Sequence, residues 1–394
     1  MSKRFTCLIL TLCMALSIAA CSKEEVEETT TTEATTTTTE ATTTTTTEET
    51  TTTTTEPEDP LYDPNIDFAV NPVTGVQDMA TENEGKRSVA VVINNIKAAL
   101  PARGVSEADL IYEYVTEGGI TRLLCVFADI GNAPELGSLR SARIVACDLA
   151  NGTNSIFIHF GREPRAVSYL ASNKIDHLDG NNMSGGKYSS SDYDDGYVKL
   201  ASGIFFWRDK AWSKVRSSEH TAVSDGTHIK EAIEYKNISL DGECPRFFNF
   251  VPDSSKDLEN GEDCTYAKVK ISGYMKNAIF EYNEEDGLYY KSEYGDPQID
   301  ENNDEQVAVT NVFVLYCRVT LASDDYRTDY HFDEGGDGYY ISAGKKINVT
   351  WTKETTSDQI KVFNEAGEEV EVNRGKSYVC LCEKSYKDDI SFEK

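Results

Sequence analysis

From Thr29 to Thr55, 21 of 27 residues are threonine and the rest are Glu or Ala. No core forms from such a composition, so this stretch reads as a disordered, self-repelling tether. We take the tether as residues 21–85. A flexible coil of about 60 residues reaches ~45 Å or more, and whatever folds is confined to the remainder of the chain.

Ahead of the tether, Lys3 and Arg4 precede a mostly apolar stretch that closes on Ile18-Ala19-Ala20-Cys21. A basic start, a short apolar run and small residues before a cysteine make a signal peptide over residues 1–20,. Its apolar part is short for a bilayer core of about 30 Å. The ending is similar to a lipobox, which implies a palmitate-type lipid anchor on Cys21. The expected location is the outer face of the cytoplasmic membrane.

The net charge of −29 is unevenly spread: residues 1–85 carry −13, residues 86–180 carry 10 basic and 10 acidic side chains, and residues 181–394 carry −16. A neutral island in an acidic chain argues against a nucleic-acid partner, which needs basic patches to neutralise phosphate. There is no CxxC pair and no Cys/His ligand spacing, so no structural zinc is expected. Cys244 with Cys264 is the one disulfide considered.

Residues 86–258 alternate apolar runs with helix-like stretches, predicting an α/β domain with a mixed sheet,. The run Val89 to Ile93 stops at Asn94-Asn95, as a buried strand does,. Ser106-Glu107-Ala108-Asp109 has capping-box spacing and predicts a turn of helix,. Strands over 110–116 and 121–129, joined by Glu117-Gly118-Gly119-Ile120, predict an antiparallel hairpin,. Helices are expected over 141–149, 163–171 and 227–235, a strand over 155–160, and a long loop over 180–203. Beyond residue 258 the pattern is strands and turns, predicting a mostly-β domain over 259–394 with no active site of its own,. Its lone histidine, His331, reads as a surface residue.

In α/β sheets, ligand sites gather at the carboxyl ends of strands. If the hairpin returns Arg122 to that rim, then Asn94, Asn95, Glu113, Glu117, Arg122 and His159 line one cleft. Glu113 shares a face with Ile111 and Val115 by the two-residue period,. It therefore needs a partner, for which Arg122 is the candidate; a purely structural ion pair is the competing reading. Arg140 and Arg143 open a predicted helix, where backbone N–H groups and guanidinium forks suit a phosphate or carboxylate. Surface pairing with Glu135 and Asp148 is the alternative there,.

Asn71-Pro72-Val73-Thr74-Gly75, Val91-Val92-Ile93-Asn94-Asn95, Ala108 to Glu113, Glu117 to Arg122 and Leu139-Arg140-Ser141-Ala142-Arg143 follow one another in order. That order resembles the YerB-like lipoproteins, a bacterial family with paired N- and C-terminal domains and no assigned reaction. Phe206-Trp207-Arg208-Asp209, His220, Thr310 to Val314 and Val349-Thr350-Trp351 continue the match, which runs from about residue 71 to 383. Arg208 and His220 join the candidate ligand-binding residues on that ground. Two departures stand out: Phe160-Gly161-Arg162 replaces the family's Gly-Gly-Ser, and Gln298 stands where a histidine is expected.

Two functions are compatible with these residues. The first is a tethered, non-catalytic protein that captures an anionic envelope glycan or a partner protein through Arg122, Arg140 and Arg143. The second is a metal-assisted phosphoryl or glycosyl-phosphate transferase or hydrolase, by analogy with the arginine-lined pyrophosphate pocket of LytR-type transferases. Under that alternative alone, Asp109 or Glu113 would hold a divalent cation. No other cofactor is evident, and no ATP loop, G-x-S-x-G elbow or H-E-x-x-H is present,.

Overall fold

A strand covered on both faces must be apolar along its whole length, and β1 (Val89–Asn94) is buried at every residue. In this computed structural model the described residues are 59–181, 193–194, 197–198, 205–252, 258, 260–273, 276–324 and 326–394. The signal peptide, Cys21 and the Thr-rich run lie outside them, as does most of the 180–203 loop.

After β1 come β2 (Leu110–Val115) and β3 (Thr121–Phe127), the expected hairpin, with Val115 opposite Thr121 and Tyr114 opposite Arg122. Its turn needs φ of 68° at Gly118 and 72° at Gly119, a region where side chains clash. The chain continues through β4 (Glu135–Gly137), α1 (Ile144–Gly152), β5 (Ile156–His159), α2 (Pro164–Ser172) and β6 (His177–Asp179). β7 (Trp207–Arg208), β8 (Ala222–Asp225) and α3 (Gly226–Tyr235) complete the first half.

The second half is mostly β. β9 (Tyr266–Ser272), β10 (Lys276–Asn283) and β11 (Leu288–Glu293) form an antiparallel meander. β12 (Asn311–Cys317), β13 (Val319–Leu321), β14 (Thr328–Tyr330), β15 (Gly336–Ser342), β16 (Lys345–Thr352) and β17 (Ser377–Glu383) follow.

The two halves share one sheet. Its order is β16-β15-β12-β17-β2-β3-β1-β5-β6. β17 lies parallel between β12 and β2, while β5 is parallel to both β1 and β6. β3 runs antiparallel to both β1 and β2. Hence β1, β2, β5, β6, β12 and β17 all point one way, and their carboxyl ends make a single rim. On one face of the sheet, Val91, Ile93, Ile111 and Leu123 pack with Ile229 and Ile233 of α3 and with Val269 and Phe280 of the meander. On the other, Val92, Tyr112 and Leu124 meet Val145 and Leu149 of α1 and Leu170 of α2.

Several expectations are corrected. Residues 59–85, assigned to the tether on composition, are packed: Leu61, Ala69, Val73 and Met79 bury their side chains in the second of these cores. Asn71 to Gly75 is a turn closed by the Gly75 N–H on the Asn71 carbonyl at 2.8 Å. No helix starts at Ser106, because the Ser106 N–H and hydroxyl donate to the Asp300 carboxylate of the other half at 2.9 and 3.0 Å. Cys244 and Cys264 are both free thiols, so that disulfide is absent. His331 is half-buried rather than a plain surface residue, with Nε2 2.9 Å from the Thr320 hydroxyl.

Candidate functional site

Arg140 and Arg143 reach the rim because residues 138–142 cross the strand ends as an extended strap. The Asn94 N–H donates to the Ser138 carbonyl at 2.8 Å and the Arg140 N–H to Val92 at 3.0 Å. On the strap's other edge, the Phe160 N–H donates to Arg140 and the Ala142 N–H to Gly161, both at 2.9 Å. The strap delays α1 to Ile144, so Arg143 is the residue before the helix and not within it. The Ile144 N–H is taken by the Glu163 carboxylate at 3.1 Å, and the expected anion position at that helix start is therefore already filled.

Two of the three arginines, Arg122 and Arg143, meet at Glu117, and Arg140 lies beside them at the same rim. Arg143 grips that carboxylate with two hydrogen bonds, from Nε to Oε2 at 2.7 Å and from Nη2 to Oε1. Arg122, buried in β3, places Nη2 3.7 Å from the same Oε1 and donates Nη1 to the Ser141 carbonyl. Arg140 donates Nη1 to the Glu219 carbonyl at 2.7 Å. Among the described residues, the buried Nε–H groups of Arg122 and Arg140 have no acceptor.

The electrostatics follow from this crowding. Burial raises the Glu117 pKa, but the hydrogen bonds and charge of Arg143, with the charge of Arg122, hold it down at about 2,. Burial and the neighbouring Arg143 charge bring Arg122 down to about 10. Burial lowers Arg140 too, with Arg143 and Arg208 adding to the effect. His220 accepts at Nδ1 from the Asn94 amide at 2.9 Å, and burial with the Arg140 charge lowers its pKa. Arg208 packs its guanidinium 4.6 Å over the Phe160 ring and donates to the Ser218 carbonyl.

Glu113 and Asn95 lie elsewhere. Alternation along β2 puts Glu113 on the opposite face from Tyr114 and its partner Arg122,, so the anticipated Glu113–Arg122 pair does not form. Oε1 of Glu113 accepts from Asn95 and Thr121, both at 2.8 Å, and Oε2 accepts from the Tyr378 hydroxyl at 2.6 Å. Lys291 stands 3.8 Å from Oε2 of Glu113 and donates to Glu293 at 2.8 Å. The Gln298 amide donates to Asn95 at 3.3 Å. This network seals the join between the halves. Sequence reading missed Lys291 and Glu293, although they share the inward alternation of Tyr289 along β11, where these three positions are buried.

His159 stands apart as well. Its ring contacts the Gly161 carbonyl through Nδ1 at 2.8 Å and His177 Nδ1 through Nε2 at 3.0 Å. Burial lowers its pKa to about 4, against the pull of Asp179. Asp109 sits at the amino end of β2, away from the rim, accepting from the Ala128 N–H at 2.8 Å and from Asn71 at 3.1 Å. Glu135 and Asp148, the expected surface partners, bind Arg103 and Lys353 instead. No group of three or more His, Cys, Asp or Glu able to hold a metal occurs among the described residues.

A family model described as the N-terminal domain of a protein of unknown function, DUF3048, matches residues 73–239, and the model of its C-terminal domain matches residues 267–379. The chain belongs to the DUF3048 family. It is 30% identical over 284 residues to the "Putative lipoprotein YerB" of Bacillus subtilis (strain 168), covering 71% of this chain and 77% of that protein. It is also similar to the crystal structure of YerB from Bacillus subtilis, with a TM-score of 0.67 and 26% identity over 82% of this chain and 99% of that one. In DUF3048 terms, the N-terminal region holds the arginine rim, and the C-terminal region supplies Lys291, Glu293 and Tyr378 to the seam. No helix among the described residues is long and apolar enough to cross a membrane.

Proposed function

We propose that this DUF3048 protein is anchored by lipid on Cys21 to the outer face of the cytoplasmic membrane. There it binds a phosphate- or carboxylate-bearing envelope ligand through Arg122, Arg140 and Arg143. The observation that carries the reading is the imbalance at the rim, where Arg122 and Arg143 share the Glu117 carboxylate, Arg140 stands beside them with the charges of Glu219 and Glu117 nearby, and among the described residues the buried Nε–H groups of Arg122 and Arg140 have no acceptor. An anion with several acceptor oxygens would supply what is missing. The acidic remainder of the chain would repel anions from other faces,. The anchor is supported by the lipobox-like Ile18 to Cys21 and by the name of the Bacillus relative.

Titration calorimetry with inorganic pyrophosphate tests the site. Arg140→Lys keeps the charge and loses the fork, so it should weaken binding by about 1–3 kcal/mol. Absence of pyrophosphate binding to the wild type, or an unchanged affinity in Arg140→Lys and Arg143→Lys, would overturn the reading. For the anchor, Cys21→Ala should leave the protein unprocessed or release it from the membrane fraction.

A further inference from the structure

Glu117 has two neighbourhoods. One edge of its carboxylate is held by Arg143, and the residue also lines a cavity of about 280 Å³. That cavity lies where the carboxyl ends of β2 and β17 meet β13 and β14, so both halves of the chain build it. The Gly118-Gly119 turn forms one wall, Thr320 and Thr328 another, and Glu383 with the rings of Tyr326 and Tyr386 completes it.

The chemistry of this lining differs from that of the rim, because among the described residues no Lys or Arg lines it, the nearest cations being Lys270, 4.7 Å over the Tyr386 ring, and Arg327, 5.9 Å over that of Tyr326, each of which covers one ring face. Two threonine hydroxyls are anchored by bonds within the protein, Thr320 to His331 at 2.9 Å and Thr328 to the Val115 carbonyl at 3.4 Å. Each hydroxyl retains hydrogen-bonding capacity toward the cavity. Among the described residues Glu383 has no ion-pair partner, which leaves its carboxylate as an acceptor for hydroxyl groups. A Cβ at Gly118 would meet nothing within 4 Å, so the turn presents bare backbone to whatever enters,. Tyrosine rings offer flat apolar faces with a polar tip. Hydroxyl groups, the Glu383 carboxylate with Glu117 at the cavity's other side, and aromatic faces together match the alternating C–H and O–H surface of a sugar ring. The volume falls just below the ~300–1,000 Å³ of small-molecule sites, which suits one ring better than a chain.

We propose that this cavity is a subsite for one pyranose residue, continuous through Glu117 with the arginine rim. The ligand is then an anionic glycan whose sugar sits against Glu383 and the tyrosines while its phosphate or carboxylate reaches Arg143 and Arg140. This rests on the anion reading of the rim and adds the sugar to it.

The test is calorimetry on the purified full-length protein with four probes: inorganic phosphate, methyl glucoside, glucose 1-phosphate and N-acetylglucosamine 1-phosphate. At least one sugar phosphate should bind about tenfold tighter than inorganic phosphate, the gain of one or two good hydrogen bonds. Glu383→Gln, close to isosteric, should abolish that gain and leave phosphate binding unchanged, whereas Arg140→Lys should weaken both. Sugar phosphates that bind no tighter than phosphate, or a Glu383→Gln variant identical to wild type with every sugar probe, would overturn the subsite and leave the anion reading standing. If phosphate itself fails to bind, the anion reading falls. The neutral glycoside then decides the cavity: binding lost in Glu383→Gln supports it, and no binding overturns it.

Discussion

Glu117 is the residue on which the rim balances. With Glu117→Gln, Arg122 and Arg143 would face each other across a nearly buried space without a counter-charge. Breaking a buried pair from one side costs about 3–5 kcal/mol, and a loss of that order is expected in urea unfolding. Pyrophosphate should recover more stability in this variant than in wild type, since it binds only the folded state; equal gains would argue against an anion between the arginines. The pH dependence follows from two depressed pKa values. Glu117, held at about 2 against an ordinary 4.5, contributes stability that is complete above 4.5 and is lost as pH falls toward 2. His159, held at about 4 against an ordinary 6.5, keeps its neutral form in the fold while the unfolded chain takes up a proton. Stability therefore drops as pH falls from 6.5 toward 4. Urea melts across pH 7 to 3 should show both declines, with His159→Gln flattening the upper one and Glu117→Gln the lower.

At the scale of elements, the strands were the legible part. β1, β2, β3 and β5 were readable because apolar runs on a fully covered sheet need no periodicity beyond their length. Helix starts were less so. The start of α3 obeys local rules: Asp225 caps it by accepting the His228 N–H at 2.8 Å, and Asp225→Ala should cost about 1 kcal/mol in thermal or urea unfolding. The start of α1 does not, because Ser141 and Ala142 are drawn into the strap by Phe160 and Gly161, and the cap comes from Glu163. The Ser106 signal failed for a similar reason, its donors going to Asp300 of the distant half. Close strand approach sets another limit: a Cβ at Gly338 would lie 2.1 Å from the Val314 carbonyl oxygen of β12. Gly338→Ala should therefore destabilise by about 1–3 kcal/mol, measurable as a lower urea midpoint with an unchanged slope.

The whole molecule is held by its seam. Lys291→Met would leave Glu113 and Glu293 buried without their cation, a loss of about 3–5 kcal/mol in global unfolding. Residues 86–258 expressed alone would expose the edge of β2 that β17 covers and strip Glu113 of Tyr378 and Lys291. We expect poor amide dispersion in NMR and no cooperative melt; a sharp melt would show that this half folds by itself. The sequence alone determined the class of the two halves, most strands and the hairpin carrying Glu117 and Arg122, because these depend on residues close together in the chain. It also singled out Arg122, Arg140 and Arg143 by their place in a neutral island. Which acid each would meet was decided by tertiary structure. Alternation sends Glu113 and Arg122 to opposite faces, β17 and β11 bring Tyr378 and Lys291 from more than 170 residues away, and the strap turns Arg143 toward Glu117. Those contacts come from the pairing of distant strands, and no local pattern encodes which distant strand will arrive.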